Sequence, residues 1–253
     1  MRKPLMLVVV LVLAAAAAVS SGSASAQGRW SWPEHSKNLK VLPEETDAQT
    51  LRSTMQDFTH ALGVRCHHCH VGEEGVSFTQ WDFASDEKPA KETAREMMRM
   101  LADVEEALAR IEPSGERVTM ECATCHRGAA RPQRLEDALT ETYRTGGADA
   151  AIARYHELRD NTYGRGVYDF GEDALNLLGY RMLEAKDVPG ATKAFTLNTE
   201  LFPGSTMTWD SMAEVTLAAG DTTRAIELYG KAFALEPRNR NAERMLRRLR
   251  GEE

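Results

Sequence analysis

Gly63-Val64-Arg65-Cys66-His67-His68-Cys69-His70 decides how this chain is read, and its ending returns as Cys122-Ala123-Thr124-Cys125-His126. These two Cys-x-x-Cys-His segments use all 4 cysteines of the 253-residue chain. Two disulfides would occupy the thiols but leave the histidine after each pair without a reason. A four-thiolate zinc site has the same defect. Covalent attachment of haem c accounts for every one of these residues. Two thiols three positions apart on a helical turn meet the two vinyl groups on one porphyrin edge, and the next residue sends an imidazole to the iron. Cys66, Cys69, Cys122 and Cys125 are therefore the expected tethers of two haem c groups, with His70 and His126 as iron ligands.

Working outward, each motif is preceded by a helical pattern. Leu51, Met55, Phe58 and Leu62 recur at helical spacing and predict a helix from about Asp47 to Val64 that runs into Cys66. A second helix is predicted from Pro89, which suits a first turn, to Ile111. Met97, Leu101, Val104 and Leu108 make its apolar stripe, and Met100 lies beside it. A haem that only carries electrons is usually six-coordinate, and a thioether opposite the histidine raises its potential. The residues alone leave that sixth ligand open. Met55 reads as a core residue or a ligand, and Met97, Met98 and Met100 are the alternatives for the second haem. Met120, two residues before Cys122, is too close to reach the far face of that haem.

The N-terminus sets the expected compartment. Arg2 and Lys3 precede an apolar run from Leu5 to Val19, and Ala24-Ser25-Ala26 forms a small-x-small cleavage site. This predicts a secretory signal peptide over residues 1–26 and a periplasmic mature chain. The run is shorter than the roughly 20 residues that span a bilayer, so no transmembrane segment is expected in the mature chain. The formal net charge of −7 becomes more negative once Arg2 and Lys3 are removed, which argues against nucleic acid as a partner. Arg238, Arg240, Arg244, Arg247, Arg248 and Arg250 form a local basic exception on a predicted terminal helix, read as a solvated face.

Several of these residues together resemble the cytochrome c subunit of photosynthetic reaction centres. They are Asn38-Leu39-Lys40-Val41-Leu42-Pro43, Met55, Gly63 to Cys66, Phe83-Ala84-Ser85-Asp86, Ala94 to Met100, and Cys122 to Gly128. The likeness runs from about Trp32 to Pro132 and extends well beyond the haem motifs. Larger members hold four haems in two similar halves, and this sequence resembles one half. The resemblance implies Met55 as sixth ligand of the first haem and Met100 for the second, with Met97 as alternative. It also leaves a histidine such as His60, or five-coordination, open at the second haem, because one haem of the larger proteins takes a histidine from the other half.

After Pro132 the composition changes. Pro203 and Pro237 stand 34 residues apart, and the segments before them align without gaps. Leu175 matches Trp209, Ala185 matches Ala219, Asp187 matches Asp221, Ala191 matches Ala225 and Phe195 matches Tyr229. Such a period resembles the tetratricopeptide repeat. Ala151 to Tyr155 is similar to Ala225 to Tyr229 and is expected to begin the array, with Asn241 to Arg250 as capping helix. Arg131 to Gly147 is expected to be a soft link, and Gly164 to Gly171 a second glycine-rich loop.

The expected architecture is all-α: a signal peptide over 1–26, a dihaem cytochrome domain over 27–135 and tetratricopeptide-like repeats over 136–253. The expected function is electron transfer between a protein redox donor and acceptor, with a membrane-bound electron-transfer complex as one such partner. No enzyme chemistry is expected. The rivals are a dihaem peroxidase and a haem-based sensor or scaffold, both of which require an open iron. The repeat region reads equally as a brace over the haem edges or as a docking surface.

Overall fold

A computed structural model describes residues 30–111 and 119–252. The signal-peptide expectation lies outside the described residues. Among the described residues every regular element is helical, and the only β-type pairing is an isolated bridge between Val71 and Asp82. No helix among them is long and apolar enough to cross a membrane.

Helix α1 (Ala48–Leu62) begins where Asp47 accepts hydrogen bonds from the Gln49 and Thr50 amides, which satisfies two of the unpaired donors of its first turn. It ends at Gly63, whose φ of 64° is the left-handed conformation that closes helices. Cys66–His68 forms a short 3-10 turn. An irregular stretch then leads to α2 (Pro89–Ile111), and α3 (Cys122–His126) carries the second motif. In residues 30–134, Leu51 and Ala61 are the only fully buried apolar side chains among those described. Met55, Phe58 and Leu62 of α1 and Ala94, Met98 and Leu101 of α2, all half-buried, instead border cavities. Met97 departs from the expected stripe, since it is 36% exposed.

The expected link from Arg131 to Gly147 is mostly helix. Helix α4 (Leu135–Thr162) starts at Leu135 and is broken at Gly147, where φ is 79° and ψ is −175°. Leu135, Ala138 and Leu139 explain this, because their i, i+3, i+4 spacing buries all three in the core. The stretch after the break holds the expected Ala151 and Tyr155, both fully buried. The rest of the array keeps an exact register: α5 (Glu172–Glu184) returns 34 residues later as α7 (Thr206–Ala218), and α6 (Val188–Leu201) as α8 (Thr222–Leu235). Asp187 caps α6 through the Gly190 amide and Asp221 caps α8 through the Arg224 amide, each at 2.9 Å. Gly179 lets the Phe195 ring approach so closely that a Cβ there would sit 2.6 Å from it. Helix α9 (Arg240–Arg250) closes the array by burying Ala242 and Leu246 and leaving its arginines outward. This region is tetratricopeptide-like.

Candidate haem sites

The two attachment segments meet back to back at one backbone junction. The Gly128 amide donates to the Ala61 carbonyl at 2.8 Å, which locks the turn after α3 against the end of α1. A Cβ on Gly63 would lie 2.1 Å from the Gly128 oxygen, so only glycine permits the approach. Gly63 and Gly128, at φ of 64° and 91°, thus form a common support for the two motifs, whose Cys66 and Cys122 border different cavities.

On one side a cavity of about 480 Å³ is bordered by Met55, Cys66, Cys69 and His70, with Leu51, Phe58 and Leu62 from α1 and Ala94 and Met98 from α2. The size lies within the usual range for cofactor sites. The His70 Nδ1–H donates to the Phe83 carbonyl at 3.1 Å, so Nε2 is left as the ring's free donor atom. That is how metal-ligating histidines are commonly oriented. Burial, and next the charge of Lys91, hold the His70 imidazole below its ordinary pKa and keep it neutral, the form that binds metal. Burial likewise pushes the Cys69 thiol up. Trp30, Phe78, Trp81 and Phe83 pack around the histidine side of this site, with the His70 and Phe83 ring centres 5.1 Å apart.

The rim of the first cavity is polar and explains why distant stretches of sequence occur together. Asp86 bonds Lys40 Nζ at 2.7 Å, Asn38 Nδ2 at 2.9 Å and Arg95 Nη1 at 2.9 Å. Arg95 also reaches the Asn38 carbonyl at 3.1 Å. The Lys40 and Asn38 bonds first, then Arg95 and Lys91, hold the Asp86 carboxyl far below the usual carboxylate range. One ion cluster therefore ties residues 38–40 and 83–86 to α2. Sequence reading missed Lys91 and Arg95. The available signal was their spacing, since Lys91, Ala94, Arg95 and Met98 share one side of α2.

On the other side of the junction a more open cavity of about 970 Å³ is bordered by Phe58, His60, Leu101, Met120 and Cys122. The glycine-rich loop after α4 closes part of it through Arg165, Gly166 and Val167. His126 is buried, and its Nδ1–H donates to the Ala129 carbonyl at 2.9 Å, again leaving Nε2 free. Arg127 and Gly128 both take positive φ, which turns the chain tightly enough for Ala129 to meet the ring. Cys125 is exposed, and burial pushes the Cys122 thiol up. Met100 is 49% exposed on α2 and borders neither cavity. At 3.6 residues per turn, Met97 lies about 40° round α2 from Leu101, whereas Met100 lies about 100° away and is turned from both Leu101 and Met98. The residues of the first site fit a c-type haem, with two thiols and an oriented imidazole on one cavity, apolar walls and cations at the rim. At the second turn Cys122 borders the open cavity, whereas Cys125 and His126 do not.

Comparison with known proteins agrees with this chemistry. The chain is 36% identical over 99 residues to cytochrome c-554 of Chloroflexus aurantiacus, covering 39% of this chain and 22% of that protein. It is 34% identical over 95 residues to the photosynthetic reaction center cytochrome c subunit of Rubrivivax gelatinosus, covering 34% of this chain and 24% of that protein. The chain thus spans about a quarter of the length of these relatives. Among solved structures, the first tetratricopeptide domain of Spaghetti (RPAP3), bound to an HSP90 peptide, is similar at 19% identity and a TM-score of 0.35. That match covers 47% of this chain and 89% of that one. The second such domain of human RPAP3 is similar at 16% identity and a TM-score of 0.34, over 46% and 92% of the two chains. The profile described as photosynthetic reaction centre cytochrome C subunit matches residues 14–150, more than half of the chain, and the protein belongs to that family of c-type cytochromes.

Proposed function

We propose that this chain is an exported electron carrier that holds two covalent haem c groups and passes electrons between protein partners outside the cytoplasm. Cys66 and Cys69 tether the first haem and Cys122 and Cys125 the second. His70 and His126 ligate the irons. The observation that carries this reading is the pair of imidazoles: each follows a Cys-x-x-Cys turn and donates its Nδ1–H to a backbone carbonyl, leaving Nε2 for a metal. When bound, each haem supplies a one-electron couple whose potential the protein sets through ligands, burial and hydrogen bonds. Residues 27–135 form the dihaem domain and residues 136–253 the repeat domain, which braces the second site through its glycine-rich loop.

Met55 is the sixth ligand of the first haem, supported by its place on the same cavity as Cys66, Cys69 and His70. Met100 is the sixth ligand of the second on the family resemblance alone, since it borders neither cavity. Met97, about 40° round the helix from Leu101, is the alternative. A second reading, with His60 as ligand, is favoured by the place of His60 on the second cavity. A membrane-bound electron-transfer complex is the proposed partner on one side of the exchange.

Intact mass of the natively secreted protein should show two haem increments on the chain processed near Ala26. Met55→Ala should lose a methionine-to-iron charge-transfer signal and lower one potential, and the reduced protein should then bind carbon monoxide. A colourless protein with the mass of the bare chain would refute the proposal. Persistence of the full methionine signal in both Met55→Ala and Met100→Ala would refute the ligand assignment alone. Strong carbon monoxide binding by the unaltered protein would favour the peroxidase and sensor alternatives.

A further inference from the structure

We infer that Lys91 is a positioning residue that raises the reduction potential of the first haem by acting on His70 through the Phe83 carbonyl; the inference rests on the ligand assignment proposed above. The Phe83 oxygen has two lone pairs and both are taken. The His70 Nδ1–H occupies one at 3.1 Å and the Lys91 ammonium the other at 2.9 Å. Lys91 spends its remaining donors on the next two carbonyls, Ala84 at 3.0 Å and Ser85 at 2.8 Å. Its side chain is 13% exposed and borders the first cavity. The charge is therefore fixed in place, two hydrogen bonds from the histidine ring, with little water to screen it.

The sign follows from two effects that agree. Two donors on one oxygen compete for its electron density, so a cation there makes the carbonyl a weaker acceptor for the imidazole N–H. The ring then keeps less imidazolate character and donates less to its metal, because second-partner hydrogen bonds set ligand basicity. A nearby positive charge also favours the reduced state directly, since that state carries one more electron. Asp86, at 3.4 Å from Lys91, offsets part of the charge but is shared with Lys40 and Arg95. The couple stays one electron in and one electron out, and Lys91 neither gains nor loses a proton in it.

The alternative role for Lys91 is a clasp that merely holds residues 83–85, and the test separates the two. In the full-length haem-loaded protein, the two haems are titrated potentiometrically with optical readout. Lys91→Gln keeps amide donors but removes the charge. It should shift the first haem toward the oxidised state by roughly tenfold, which is 59 mV for a one-electron couple. The second haem should move less than about twofold, as expected for a more distant, screened charge. Lys91→Arg keeps the charge and should recover most of the shift. The His70 Nδ1–H proton resonance of the reduced protein should move downfield in Lys91→Gln, because the carbonyl is no longer shared with a cation. Asp86→Asn tests the same sign without touching Lys91, and must raise the first potential. A first potential unmoved in Lys91→Gln, or lowered equally in Lys91→Gln and Lys91→Arg, overturns the inference. If Lys91→Gln does not fold, a first potential that fails to rise in Asp86→Asn overturns it instead. Absence of covalent haem from the unaltered protein would fault the ligand assignment rather than the role of Lys91.

Discussion

Replacing Gly63 with alanine should be among the most damaging single-methyl changes in the cytochrome region. Two costs are legible at that position. The residue takes φ of 64°, and a left-handed conformation costs a non-glycine residue about 1–2 kcal/mol. The new Cβ would also stand 2.1 Å from the Gly128 oxygen and 2.9 Å from its carbon. Both are backbone atoms and cannot rotate away, so α1 and α3 must separate, an overpacking cost of about 1–3 kcal/mol. Separation stretches the 2.8 Å bond from the Gly128 amide to the Ala61 carbonyl as well, worth about 1 kcal/mol. The sum is about 3–6 kcal/mol, or roughly 6–24 °C in Tm for a chain of this size. Thermal unfolding of the haem-loaded protein by circular dichroism measures it. Gly75→Ala is the matched control, because Gly75 takes φ of 83° but a Cβ there meets nothing within 4 Å. The control should lose only the conformational cost, about 1–2 kcal/mol. Equal losses in the two variants would show that the junction is not close-packed and would refute the argument.

Further perturbations test other parts of the structure. Asp86, held below the ordinary carboxylate value by Lys40, Asn38 and Arg95, contributes stability that is fully present above about pH 3.9 and is lost as pH falls below that. Asp86→Asn should therefore be less stable than the unaltered protein at pH 7, with the gap closing on acidification; acid-unfolding curves that run parallel would contradict this. Asp221→Ala removes the cap that accepts from the Arg224 amide and should cost about 0.5–2 kcal/mol in chemical denaturation, with the haem absorption unchanged.

Much of this structure is written locally in the chain. Asp47 and Gly63 bracket α1 within a residue or two of expectation, and the Pro89 start and Ile111 end of α2 are matched. The 34-residue period is local in the same sense, because each repeat places like residues at like contacts. Residues 135–146 were harder to read. Gly146 and Gly147 suggest a link, yet Leu135, Ala138 and Leu139 bury the preceding turns against the repeat core, and only Gly147 breaks the helix. At the site, cysteines and histidines announce themselves by side-chain chemistry. The groups that orient the imidazoles are main-chain carbonyls of Phe83 and Ala129, which no residue pattern encodes. Arg95 is likewise buried only because Asp86 and the Asn38 carbonyl come to it from distant segments.

Helix α2 runs past both chambers along one face, with Ala94 and Met98 at the first and Leu101, seven residues on from Ala94, at the second. Any tilt or slide of the whole rod would alter both neighbours at once, so coarse adjustment cannot give the two rooms different characters. Individual tuning is left to side groups that look into a single room. A lineage adapting this scaffold to new redox neighbours is thereby steered toward point changes along α2 rather than shifts of its backbone.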